Sequence, residues 1–431
     1  MTKLTKNIRT ILPEYSMMTS TKSKTRQFVK GITAFIFLAS VSACQHNATQ
    51  SPTDLAVQAK ANDIAQQYLI ADTHIDVPYR LDDHFEDVSE HTENGDFDYP
   101  RAVVGGLNAP FMSIYTPSSL EGTGKSKALA DALIDSVEAL VKASPHKFAL
   151  AYSTQELQDN FANGLISFPM GMENGSPIEG DLANLSHFYD RGIRYITLAH
   201  AKANHISDSS YDTERPAHGL TDFGKVLVQE MNNLGVMIDV SHISDEAFYQ
   251  VMDLSQTPVI ASHSSARHFT PGFERNMSDD MIKLLAENGG IIQINFGSTF
   301  ISQQSIDSYE AYKKAKAAFM ADNNVLEGSE SMKAFNKEYN KRTPFAFATL
   351  NDVLDHFDHV IQLVGVEHVG IGSDYDGVGD SLPEGLKDVS SYPHLIAGFL
   401  TRGYSESDIE KILSGNLLRV WQQVEAYAAT H

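Results

Sequence analysis

From about residue 69 onward, short apolar runs alternate with longer amphipathic ones. Eight short runs read as strands: Leu69 to His74, Phe111 to Tyr115, Leu165 to Met172, Arg194 to His200, Val236 to His242, Pro258 to His263, Gly290 to Phe296, and His368 to Asp374. Most are continuously apolar, as parallel strands covered on both faces must be. Between them lie helical patterns with capping starts at Ser244-Asp245-Glu246, Ser278-Asp279-Asp280 and Ser405-Glu406-Ser407-Asp408. Eight strands alternating with helices predict a (β/α)8 TIM-like barrel, here a single domain over residues 61–425. The stretch from Ser302 to Arg342, rich in Lys, Ala and Glu and broken only by Gly328, predicts a helical insertion between strands 7 and 8, over the barrel mouth.

The N-terminus follows another pattern. An uncharged, mostly apolar run from Gly31 to Ala43 follows Lys22, Lys24, Arg26 and Lys30. It is too short to span a bilayer as a helix, which takes about 20 residues, and has the layout of an export signal. The run ends Val41-Ser42-Ala43-Cys44, similar to a bacterial lipobox. Residues 1–43 are therefore expected to be a lipoprotein signal peptide, Cys44 the lipidated first mature residue, and residues 44–60 a polar tether. Translation starting at Met17 or Met18 would give a signal of more usual length. Gln45 in place of Asp would favour the outer membrane, facing the periplasm, in a Gram-negative host.

Composition narrows the function. With 42% hydrophobic and 20% charged residues the chain is of globular type. The formal charge is −22, and because the segment up to Ala43 holds seven basic residues and one acid, the remainder carries −28. Such a surface disfavours nucleic acid and gives no electrostatic hold on anionic lipid, so membrane attachment must come from the N-terminal lipid itself. A single Cys excludes an intramolecular disulfide framework and a thiolate zinc cluster. Any metal must be held by His, Asp and Glu.

Such residues recur where a barrel brings distant positions together, at the C-terminal strand ends. The first run ends Asp72-Thr73-His74-Ile75-Asp76, with His74 and Asp76 two apart and on one side of an extended strand. The third run leads into Glu173, whose two oxygens could each take one cation. The fifth and sixth supply His242 and His263, imidazoles suited to zinc. His187, His356, His359 and His394 lack such a context and read as surface or packing residues.

Together these stretches resemble the membrane (renal) dipeptidase family, zinc peptidases of the amidohydrolase superfamily, over roughly Ala61 to Glu425. Matching segments include Asp72 to Asp76, Gly192 to His200, Asp239 to Ser244, Ser262 to Ala266, Arg275-Asn276, Gly372 to Val378, Pro383 to Leu386, and Asn416 to Val420. The resemblance implies two Zn2+ ions, though the ligands would accept other divalent ions, with His74 and Asp76 on one, His242 and His263 on the other, and Glu173 between them. It implies that a bridging hydroxide attacks a dipeptide, that Asp374 is the catalytic acid/base, that His200 contacts the substrate carbonyl and that Arg275 binds its C-terminal carboxylate. A homodimer is the candidate assembly. Asn174 departs from the Gly of animal members and is expected to alter the pocket beside the metals; the paired cysteines of those enzymes are absent.

Other functions compete on stated grounds. Another metal-dependent amidohydrolase, acting on β-lactams or N-acyl amino acids, would use the same metal site but has less need of Arg275. A glycoside hydrolase using Glu173 and Asp374 leaves His74, His242 and His263 without a role. An inactive lipid-anchored binding protein would not need the full set of ligands and acid/base.

Overall fold

The computed structural model describes residues 52–431; the expected signal peptide, Cys44 and the first part of the tether lie outside them. A helix, Pro52–Gln67, already occupies residues 52–60. Ten strands follow: β1 (Ile70–Ile75), β2 (Leu107–Tyr115), β3 (Phe148–Leu150), β4 (Ile166–Phe168), β5 (Met170–Glu173), β6 (Ile193–Thr197), β7 (Met237–Asp239), β8 (Ile260–Ser264), β9 (Ile291–Ile294) and β10 (Val369–Ile371). Eight form one parallel sheet in the order β1-β2-β5-β6-β7-β8-β9-β10. The sheet closes just beyond β10, where Asp374 N–H donates to His74 C=O and Asp76 N–H to Tyr375 C=O. This is the expected (β/α)8 barrel. Among the described residues no helix is long and apolar enough to cross a membrane.

The third apolar run differs from its expected form. Pro169 has no N–H for the ladder and splits the run into β4, which pairs with β3 in a small side sheet, and β5, which enters the barrel. β3 itself was not anticipated, since three residues carry no readable period. The anticipated helix starts are present: the hydroxyls of Ser244, Ser278 and Ser405 accept from Ala247, Met281 and Asp408 N–H. The expected insertion lies between β9 and β10 and comprises helices Ser298–Ile301, Gln303–Asn323 and Glu330–Arg342. The two longer helices pack through Phe319 on Phe335 and Tyr312 on Tyr339.

Strand alternation separates two cores. Outward residues such as Ile70, Met112, Met172 and Ile196 join the surrounding helices in the larger one. Ala71, Phe111, Tyr195, Met237 and Ile260 form the smaller one, against Trp421 of helix Asn416–Ala428. Tyr195 fits only because Gly171 faces it: a Cβ on Gly171 would stand 1.9 Å from the tyrosine ring.

Candidate metal centre

The mouth gathers residues from across the chain. Glu173, at the end of β5 and 5% exposed, lies between two clusters. Its Oε2 is 3.6 Å from His74 Nε2, which is 3.5 Å from Asp76 Oδ2. Its Oε1 is 3.3 Å from Nε2 of each of His242, His263 and His200. One carboxylate thus presents one oxygen to each group, and Asp374 stands with His74 and Asp76.

The ends of the strands shape this convergence. His74 and His263 lie within β1 and β8, whereas the expected strands through His200 and His242 stop three residues short, at Thr197 and Asp239. Asp76 has also left the strand and precedes helix Val77–Asp83. His242, Asp374 and Asn174 hold left-handed backbones, with φ of 69°, 65° and 73°. Non-glycine residues rarely adopt that conformation, and it concentrates at functional sites. Gly377 completes the mouth, because a Cβ there would meet Asp76 Oδ2 at 2.2 Å and Asp374 Oδ1 at 2.3 Å.

Buried partners fix which nitrogen is free in His74 and His263. Tyr195 O–H donates to Thr73 C=O and lies 2.9 Å from His74 Nδ1, so Nδ1 carries the proton and His74 Nε2, otherwise unpartnered, faces the cluster. Asp239 accepts from Ser262 Oγ at 2.6 Å, and Ser262 Oγ lies 2.7 Å from His263 Nδ1, leaving His263 Nε2 likewise aimed inward. These are the arrangements by which metal-ligating histidines are oriented. Sequence reasoning missed Tyr195, Ser262 and Asp239 in this capacity, although all three lie in the segments that carry the family resemblance.

The electrostatics agree with the donor set. Burial, together with the Arg275 charge, holds His242 far below the usual imidazole range; burial and neighbouring His74 do the same for His263. Both are neutral and have lone pairs to offer. Burial opposes ionisation of Glu173, but His200 and His74 outweigh it and hold the carboxyl well below its usual range. Burial works against a charge on His74, yet Glu173 and Asp76 raise its pKa. Three imidazoles and two carboxylates converging with an unpartnered Nε2 fit a pair of divalent cations of the zinc class.

Asp374 is set apart from this group. Burial, with the neighbouring Asp76 and Glu173 charges, pushes its carboxyl up to about 7. One oxygen accepts from Asn295 Nδ2 at 2.7 Å, a contact the sequence did not suggest. His200 is the least enclosed of the mouth histidines, with 14% of its side chain exposed against 6% for His242 and none for His263. Its ring packs edge-on to Tyr115.

Arg275 is the other distinctive group. It is only 3% exposed and has no acidic partner among the described residues. Its Nη2 donates to His263 C=O at 2.6 Å and lies 3.0 Å from His242 Nε2, Nη1 donates to Ser264 Oγ, and Nε has no partner. A buried guanidinium without a counter-ion is costly and calls for an anion. The Asn174 side chain donates to Thr116 C=O and accepts from Ser176 and Asn204.

A family model described as membrane dipeptidase (peptidase family M19) matches residues 58–431. The chain belongs to the membrane dipeptidase family. It is 32% identical to mouse dipeptidase 3 over 86% of this chain and 68% of that protein. Its fold is similar to that of a probable dipeptidase, PvdM, from Pseudomonas aeruginosa, with a TM-score of 0.74 and 27% identity over 88% of this chain and 100% of that one. A metallopeptidase from Rhodobacter sphaeroides, solved with a phosphinate mimic of the dipeptide L-Ala-D-Ala, has a TM-score of 0.68 and 25% identity over 83% of this chain and 99% of that one. The protein is a metal-dependent dipeptidase.

Of the remaining histidines, His356 is buried with both nitrogens bonded, to Ala266 N–H and Ile301 C=O. His187 pairs with Asp131, and His394 meets Gly385 C=O. These fit the expected packing and surface roles.

Proposed function

We propose that the mouth holds two divalent cations, zinc in the first instance, with His74 and Asp76 on one, His242 and His263 on the other, and Glu173 between them, and that the site hydrolyses dipeptides with a free C-terminal carboxylate. The position of buried, unpaired Arg275 beside His242 carries this reading. A guanidinium can bind a carboxylate through paired hydrogen bonds, which the interior of a longer peptide cannot supply. The dipeptide mimic in the Rhodobacter relative supports a short substrate.

When bound, the cations supply an ionised water at neutral pH and positive charge where the oxyanion develops. The protein side chains do the rest. Arg275 fixes the C-terminal carboxylate and thereby the scissile carbonyl. His200, the more open imidazole, reaches that carbonyl and stabilises its negative charge. Asp374, with a pKa near neutrality and one oxygen held by Asn295, takes the proton from the attacking water and passes it to the leaving amine. Asp239, Ser262 and Tyr195 keep the His263 and His74 rings in their working tautomers.

Elemental analysis of protein purified without chelator should show two cations per chain more in the parent than in a variant with the mouth disabled by Glu173→Ala and His242→Ala. A panel of L,L and L,D dipeptides, their C-terminal amides, N-acyl amino acids and β-lactams should show free dipeptides favoured. Metal-replete protein that prefers N-acyl amino acids or β-lactams would transfer the reading to another amidohydrolase activity.

The N-terminal pattern supports a second proposal, export followed by lipid attachment at Cys44, which would hold the enzyme at the periplasmic face of an outer membrane. Membrane association and processing of a Cys44→Ser variant indistinguishable from the parent would refute it.

A further inference from the structure

Outside the mouth, three side chains from three separate elements meet near the surface. His268 lies on the turn Arg267–Phe269, Asp279 opens helix Asp279–Glu287, and His359 belongs to helix Leu350–Val364. His359 Nε2 is 2.8 Å from Asp279 Oδ1, and the His268 and His359 rings stack with centroids 4.4 Å apart and planes 21° apart. One donor atom from each residue lies within 4.8 Å of the other two. The group shares no residue with the mouth clusters.

We propose that His268, Asp279 and His359 form a separate site for one divalent transition-metal cation. Two imidazoles and one carboxylate suit zinc, nickel or copper better than magnesium or calcium, which prefer all-oxygen ligands. In a tetrahedral zinc site with bonds near 2.0–2.1 Å, ligand atoms stand roughly 3.4 Å apart. His359 and Asp279, hydrogen-bonded at 2.8 Å, need only separate slightly to reach that spacing. His268 is exposed, so its ring can turn to complete the set, with the fourth position left to water.

The supports of the two imidazoles are pre-positioned. His356, one turn before His359, accepts from Ala266 N–H at 3.1 Å, two residues before His268, and its other nitrogen bonds Ile301 C=O. The turn and the helix that carry the ligands are therefore already joined through a buried histidine. An ordinary His359–Asp279 ion pair explains two members of the cluster but gives no role to His268, whose ring sits on His359 despite its exposure. A cation here would tie both ends of the segment containing Arg275 to helix Leu350–Val364.

The test is zinc content after equilibrium dialysis against micromolar Zn2+, comparing the full chain with His268→Ala and His359→Gln. The parent should retain one zinc more than either variant, and His268→Ala should hydrolyse dipeptides at the parental rate. This difference is independent of the number of ions at the mouth, so it stands or falls separately from the binuclear assignment. Equal zinc content in parent and His268→Ala overturns the proposal. His268 is exposed, so that comparison remains decisive even if His359→Gln fails to fold.

Discussion

Replacing Arg275 tests the link between structure and substrate most directly. Its guanidinium is buried, lacks an acidic partner, and leaves Nε free beside the metal cluster. A charge-assisted hydrogen bond contributes about 1.5–3 kcal/mol, so losing the substrate carboxylate contact should lower kcat/KM for free dipeptides roughly 10- to 150-fold. Truncation to Ala also strips partners from His263 C=O and Ser264 Oγ, so lost activity alone does not separate substrate recognition from damage around His263. Two comparisons separate these effects. C-terminal amides of the same dipeptides lack the carboxylate charge; they should be poor substrates for the parent and lose little more in Arg275→Ala. Arg275→Lys retains the charge but not the paired donors, and should fall between parent and Ala. Steady-state kinetics on matched acids and amides, with metal content measured on the same samples, reads all of this. If Arg275→Ala retains the parental preference for acids over amides, the carboxylate is held elsewhere and the strongest reason for dipeptide selectivity is gone.

Asp374→Asn should lower kcat by about 10²- to 10⁴-fold with metal content nearly intact, since the amide keeps the shape but cannot accept the proton; loss of metal would place Asp374 among the ligands. Tyr195→Phe removes the hydroxyl that fixes the His74 tautomer and should weaken metal binding about 10- to 100-fold in chelator competition, the usual scale for such partners. An unchanged affinity would reduce Tyr195 to a packing residue. Burial lowers the pKa of His356 to about 4 from the ordinary imidazole value of 6.5, so the unfolded chain takes up this proton before the native one does. The neutral imidazole's stabilising contribution is complete above pH 6.5 and is lost as pH falls from 6.5 to 4. By pH 5 the loss should be about 2 kcal/mol, at 1.36 kcal/mol per pKa unit. Urea midpoints for parent and His356→Gln at neutral pH and pH 5 should therefore converge on acidification; parallel pH slopes would count against this assignment.

The barrel was legible because buried parallel strands leave continuous apolar runs and helix starts leave Ser and Asp signatures. The convergence at the mouth was legible because the barrel itself brings strand ends together, so His74, Glu173, His242 and His263 needed only the correct strand order. What remained hidden depends on contacts without local pattern. Pro169 breaks an apolar run that periodicity alone would continue. The left-handed backbones of His242 and Asp374 occur at residues that give little sign of them, unlike glycines. Tyr195 reaches His74 from 121 positions away, through space left by Gly171. His268 and His359 meet through tertiary packing, so reading His359 as an isolated histidine was the natural outcome of a one-dimensional view. Asn174 shows the converse: a visible departure in sequence proves to be turned into a hydrogen-bond network.

The closing seam of the barrel affects how the enzyme is made. His74 and Asp76 lie near the start of the described chain and Asp374 near its end, and the backbone bonds joining them cross about 300 residues. Contacts of such sequence separation form late, because the intervening loop must close first. A nascent chain emerging N-terminus first therefore displays His74 and Asp76 long before their neighbours exist. Assembly of the mouth waits for the final strand, so truncated products that retain most of the sequence would still lack a finished centre.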